Sequence, residues 1–175
     1  MDLRIRFAIA LAALLPAIAG GQTPDEYQVK AAFLFNFAKF VAWPPQTFKS
    51  PTDAVSICVL GPDPFGRSLD EAVAGKSVDG RKFVVRQVDS LGQAGGCQIL
   101  FFAARQKKHA PDTPLPGVLT VGETDGFAAG GGVIGFKLEG GRVRLEVNVD
   151  AAELGKLRIS SKLLSLAQIV KTRGI

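Results

Sequence analysis

The stretch from Thr23 to Pro45, TPDEYQVKAAFLFNFAKFVAWPP, constrains the fold of this chain more than any other. Thr23 as N-cap, Pro24 at the first helical position and Glu26 closing a T-x-x-E capping box predict a helix start. Pro44 and Pro45 predict the stop, because neither can donate into the helical ladder and Pro44 biases Trp43 away from helical angles. At about 100° per residue, Tyr27, Ala31, Phe33, Leu34, Phe37, Ala38, Phe40 and Val41 share one broad arc. Gln28, Ala32, Asn36 and Lys39 mark a narrow opposite strip. So wide an apolar arc predicts a helix covered on most sides. Lys30 falls inside the arc, so its ammonium must snorkel to water or meet a carboxylate.

Ahead of this helix the chain carries the pattern of a secretory signal. Arg4 and Arg6 form a basic start, Phe7 to Leu15 an apolar run, and Ala17-Ile18-Ala19 an A-x-A signature predicting cleavage between Ala19 and Gly20. The run is shorter than the ~20 apolar residues needed to span a bilayer. With no cysteine just past the cleavage point, no lipid attachment is expected there, and no later segment reads as a membrane span. Residues 20–175 are expected to form one exported α/β domain. Losing Asp2, Arg4 and Arg6 lowers the net charge from +5 to +4, too mild for a nucleic-acid footprint. The densest basic run, Arg105 to His109, reads as a solvated face.

Past Trp43, short apolar strands alternate with helices. Val55–Leu60, Lys82–Val88, Gln98–Phe102 and Gly117–Gly122 read as strands. Asp63 and Pro64 predict a helix start running to Ala74, and a short helix is expected near Ala103–His109. Nearly continuous apolar strands imply a mostly parallel central sheet with helices on both faces, a three-layer sandwich. Val133–Glu139 and Arg142–Asn148 flank Gly140-Gly141 and predict a C-terminal antiparallel hairpin. Asp150 is expected to cap a short helix, and Ser160 or Ser161 a final buried helix through Lys171. Cys58 sits in one strand and Cys97 just before another; an oxidising compartment permits a bridge between them, two unpaired buried thiols being the alternative.

Signals for chemistry are sparse. Gly61 to Ser68 has the G-x-x-x-x-G spacing of a phosphate loop, but Pro62 and Pro64 remove two backbone donors and Arg67 stands where the lysine belongs. A strand-to-helix turn is the expectation. The single histidine, His109, lies in the basic run, and no nucleophile motif or metal-ligand cluster accompanies it. No catalytic residue, cofactor or metal is expected. Glu146 lies on the polar side of its strand and, if the final helix covers that side, needs a cationic partner, with Lys30, Arg144 and Arg158 as candidates. Phe48, Phe65 and Phe127, each beside Pro or Gly or in a loop, are candidate exposed aromatics for a partner contact.

Four segments, in order, carry a resemblance: YQVKAAFLFNFAKFVAWP, ICVLGPDPFG (57–66), CQILFF (97–102) and RLEVNVDAAELGKLRISSKLLSLAQIV (144–170). Together they closely resemble the YfiR family of secreted bacterial regulators. The resemblance implies a periplasmic, non-enzymatic protein that represses a membrane-bound diguanylate cyclase by binding its periplasmic sensory part, lowering cyclic di-GMP signalling. It also implies a homodimer, and relief of repression when an outer-membrane lipoprotein captures the regulator or envelope redox stress disturbs its fold. Some relatives have a second cysteine pair that this chain lacks, so behaviour tied to that bridge is not expected here. The alternative is a small-ligand sensor whose crevice lies at the carboxyl ends of the strands, near Gly61–Phe65, Ala103 and Gly122–Thr124.

Overall fold

The computed structural model describes residues 25–104 and 110–172. The first helix, α1, spans Glu26–Phe40. Its N-cap is Asp25, which accepts the Tyr27 N–H while Gln28 Oε1 accepts from Asp25 N at 3.0 Å. The capping box is thus D-x-x-Q, two residues later than the expected T-x-x-E; Thr23 and Pro24 lie outside the described residues. The helix stops three residues short of Trp43, because Val41–Ala42 turns extended as β1. Backbone pairing with Arg158–Ile159 (β9) and a Ser160 N–H bond to the Phe40 carbonyl win over another helical turn.

The main sheet gathers Val55–Leu60 (β2), Ser77–Val78 (β3), Arg81–Val88 (β4), Ile99–Phe102 (β5), Leu119–Gly122 (β6), Ile134–Glu139 (β7), Arg142–Asn148 (β8) and Ala167–Val170 (β10). Its order is β10-β8-β7-β6-β5-β2-β4-β3. Pairing is parallel except at β7–β8 and β3–β4. Mixed α/β, mostly parallel, with a C-terminal antiparallel hairpin: the expected class holds. Gly140 and Gly141 both take positive φ, as a two-residue hairpin turn of the primed type requires.

Alternation along each strand divides the core. Val55, Ile57, Val59, Ile99, Phe101, Leu119, Val121, Ile134, Phe136, Leu145 and Val147 face the helices. Buried residues of α1, of Ser68–Val73 (α2), of Val149–Leu154 (α3) and of Ser161–Leu164 (α4) join that same cluster. The opposite face packs Cys58, Leu60, Leu100 and Phe102 under loops and the 3-10 turn Leu91–Gln93. The helical cover is therefore concentrated on one side.

Several boundaries differ from expectation, each for a local reason. Asp63 spends Oδ1 on the Phe65 N–H at 2.8 Å, and Gly66 takes positive φ, so α2 begins only at Ser68. The cap of α3 is Asn148, not Asp150: Asn148 Oδ1 accepts from Ala151 N at 3.0 Å. The expected long final helix is a single turn, α4, capped by Ser160 as expected. Its remainder, Ala167–Val170, is an edge strand parallel to β8. Ile169 and Val170 are β-branched, and the backbone of Leu145–Asn148 offers them a ladder that a helix would leave unpaired.

Cys58 and Cys97 form a disulfide on the thinly covered face, with Cα atoms 5.9 Å apart. It ties β2 to the approach to β5 across 39 residues. A loop of that length removes unfolded-state entropy worth about 4 kcal/mol on the chain-entropy description. The double variant Cys58→Ala/Cys97→Ala is predicted to lose stability of that order in urea denaturation. A midpoint equal to that of the native chain would show that the bridge contributes nothing to folding.

Candidate functional site

In an open α/β sheet, a crevice forms where the chain leaves neighbouring parallel strands in opposite directions. Here that point lies between β2 and β5. From β2 the chain leaves through α2 toward β4 on one side, and from β5 it leaves toward β6 on the other. A cavity of about 340 Å³ opens there, lined by Tyr27, Pro62, Asp63, Pro64, Ala104 and Glu123.

The wall of this crevice is a buried charge cluster supplied by α1 and the end of β6. Lys30 Nζ donates to Glu123 Oε2 at 2.6 Å and also to Glu26, one helical turn earlier. Glu123 Oε1 accepts from the Ala104 N–H at 2.9 Å, so both its oxygens are engaged. The side chains of Lys30 and Glu123 are only 6% and 4% exposed, which puts this pair where water cannot screen it. Lys30 also sits 4.7 Å from the Tyr27 ring centroid. Tyr27 packs edge-on to Phe65, and Phe65 in turn to Phe101.

Burial alone pulls the Lys30 ammonium's pKa down, but its hydrogen bonds to Glu123 and Glu26, with their charges, outweigh it and hold it above the ordinary lysine value. Burial, and then the Glu123 charge, push the Tyr27 hydroxyl up as well. Both folded values are raised, so both contributions are fully present below the unfolded values of roughly 10. Both are lost as pH climbs through the folded ones.

The expected residues fall in different places. Cys58 and Cys97 are bridged. Lys30 and Glu146 do not meet. Alternation on β8 puts Leu145 and Val147 toward α1 and turns Glu146 to the opposite face, so the sheet stands between the two. Glu146 instead lines a cleft with Lys137 and Gln168. Phe65 and Phe127, expected at the surface, are buried at 4% and 1% exposure. Phe127 fills a slot left by Gly122 and Gly132, where a Cβ on either would overlap its ring. Phe48 is half-buried, with the Arg81 guanidinium 3.8 Å from its ring centroid. The signal cleavage point, Ala19–Gly20, and the basic run 105–109 lie outside the described residues.

Two functional positions escaped the sequence reasoning. Glu123 falls within the expected crevice at Gly122–Thr124, but its distance of 93 residues from Lys30 along the chain hides their pairing until the topology brings the end of β6 beside α1. Asn148, fully buried, donates to the Ala128 carbonyl and the Thr172 hydroxyl while capping α3. An asparagine before V-D-A-A-E was a readable cap signal.

The phosphate-loop spacing at Gly61–Ser68 forms an ordinary turn, with the Phe65 amide already taken by Asp63. Among the described residues no three or more His, Cys, Asp or Glu side chains are grouped to hold a metal. Nor is any described helix long and apolar enough to cross a membrane.

Fold and crevice define an open-sheet α/β domain with a disulfide-pinned switch point, its crevice walled by the chain's own charges. The profile of the YfiR/HmsC-like family matches residues 27–168, nearly everything from α1 to β10, and the chain belongs to that family. No curated protein matches it. The family consists of periplasmic regulatory domains of diguanylate-cyclase signalling, and the bridge fits that oxidising compartment.

The charge cluster makes a specific demand. Glu123→Gln is predicted to cost about 3 kcal/mol, the scale of breaking a buried pair. The double variant Lys30→Met/Glu123→Leu should recover most of it, because no charge is then left uncompensated. Thermal and urea melts check both, and a Glu123→Gln protein as stable as the native chain would contradict the cluster's burial.

Proposed function

We propose that this chain binds the periplasmic sensory part of an inner-membrane diguanylate cyclase and holds the enzyme inactive, lowering cyclic di-GMP. The observation that carries the proposal is the family match over residues 27–168. The repressor works as a population shifter: it favours the inactive cyclase only by its differential affinity for that state, each tenfold difference being worth about 1.4 kcal/mol. Homodimer formation and relief by an outer-membrane lipoprotein belong to the same proposal. Cyclic di-GMP is made on the other side of the membrane and is not this chain's ligand.

The crevice supports a scaffold role over ligand sensing at that point. Glu123 and Asp63 already accept hydrogen bonds from within the chain, so a ligand would have to displace them. A partner needs accessible apolar surface instead. Leu166 and Ile169, 70% and 50% exposed, lie just before and on the edge strand β10, whose outer backbone is open to pairing.

Exporting the chain in a host with a periplasmic-domain cyclase is predicted to lower cellular cyclic di-GMP and to co-purify that cyclase from envelope extract. Ile169→Arg should weaken capture with its own melting temperature kept. Unchanged cyclic di-GMP with no cyclase captured, with or without reductant, would refute the proposal.

A further inference from the structure

The stretch from Ser161 to Lys171 carries two conflicting instructions. It holds no glycine or proline, and Lys162, Leu163, Leu164, Leu166, Ala167 and Gln168 are good helix formers. Ser160 caps the helix that starts there, its Oγ accepting from Leu163 N at 3.4 Å. Ser165 keeps helical angles, and its N–H still bonds to the Ser161 carbonyl. The Leu166 N–H in turn bonds to the Leu163 carbonyl. Only at Ala167 does the chain turn extended, a form that the β-branched Ile169 and Val170 favour.

Little holds β10 in place. It is four residues long, pairs on one side only, and pairs in parallel, the weaker of the two ladders. None of its residues is fully buried: Ala167 and Val170 are half-buried, Gln168 and Ile169 exposed. Beyond the ladder, Asn148 ties the strand's end, its Nδ2 donating to the Thr172 hydroxyl at 2.9 Å. Continued as a helix, the same residues would place Leu166, Ala167 and Val170 in line with the buried Leu163, at i+3, i+4 and i+7. Leu166, largely exposed beside the strand, would then join an apolar stripe. Disagreement of this kind between local preference and tertiary pairing is what a two-state element requires.

We infer that residues 161–171 form a helix–strand switch: docked as β10 they present the partner-binding edge, and undocked they extend α4 and withdraw it. The link to binding rests on the proposed cyclase repression, because the docked form is the one that keeps Ile169 on an open sheet edge. A partner pairing with that edge selects the docked form, and its apparent affinity falls with the docked fraction.

Native-state hydrogen exchange and backbone chemical shifts of the isolated exported chain test the switch. The amides of Ala167–Val170 are expected to exchange about 100-fold faster than those of β2 and β5, by local opening. The double variant Val170→Ala/Thr172→Ala favours helix and removes the Asn148 anchor while leaving Leu166 and Ile169 in place. It should quicken that exchange about tenfold and move the carbon shifts of residues 166–171 toward helical values. Gln168→Thr, a strand former at an exposed position, should slow it severalfold. Shifts moving toward random-coil values instead would overturn the helical state, and β10 amides as protected as those of β2 would overturn the switch. Capture of the cyclase from envelope extract should fall in the double variant with the docked fraction; full capture with the segment helical would overturn its role in binding. A native chain that captures no cyclase counts against the repression proposal alone, and the exchange rates still decide the switch.

Discussion

Everything in this fold depends on sealing one face of a mostly parallel sheet, chiefly with one long helix. Strands β2, β5, β6, β7 and β8 present an apolar surface from Val55 to Val147, and α1 is the longest element available to cover it. Leu34 and Phe37 are fully buried in that contact. Phe37 and Phe33 each lie 6.0 Å from Phe136, and Phe136 meets Phe101 in the sheet centre. Burying side chains of that size stabilises by about 1.5–3 kcal/mol each, so no other helix substitutes for it. The seal also explains Lys30. A cation at that position is trapped under aromatic neighbours, and only the two carboxylates beside it make the position tolerable.

How much of this was legible depended on whether a residue's fate is set by near or far neighbours. The exposed strip of α1 was readable because helical period alone decides it: Gln28, Ala32 and Lys39 are exposed as expected. The hairpin at Gly140-Gly141 was readable for the same local reason. The final segment was not. Leu163, Leu164, Leu166, Ala167, Ile169 and Val170 fit a helix covered all round and equally a short turn followed by a strand; only the open edge of β8 decides between them. Glu146 was misplaced as a consequence, because a helix expected over its face is not there. Phe127 looked exposed because it sits in a glycine-rich turn, yet those glycines are what make room for its ring.

The two ends of the sheet are built differently. At the carboxyl ends, the usual place for a ligand in this architecture, Lys30 and Glu123 satisfy each other, and Glu123 and Asp63 accept from backbone amides. At the amino ends, cationic side chains surround an apolar floor with little acid to balance them. The disulfide lies on the remaining face, where helical cover is thin, and supplies through chain connectivity what packing does not. A regulator assembled this way has a rigid helix face, a braced opposite face and exposed positions at the sheet's edge.

Native-state hydrogen exchange on α1 tests the central claim most directly. If this helix seals the core, the amides of Ala31 to Ala38 will exchange only through global unfolding, with the same free energy and denaturant dependence as those of β2 and β5. Exchange of these helix amides at a markedly lower free energy, with the sheet still protected, would show that the core holds together without its lid and would contradict this account.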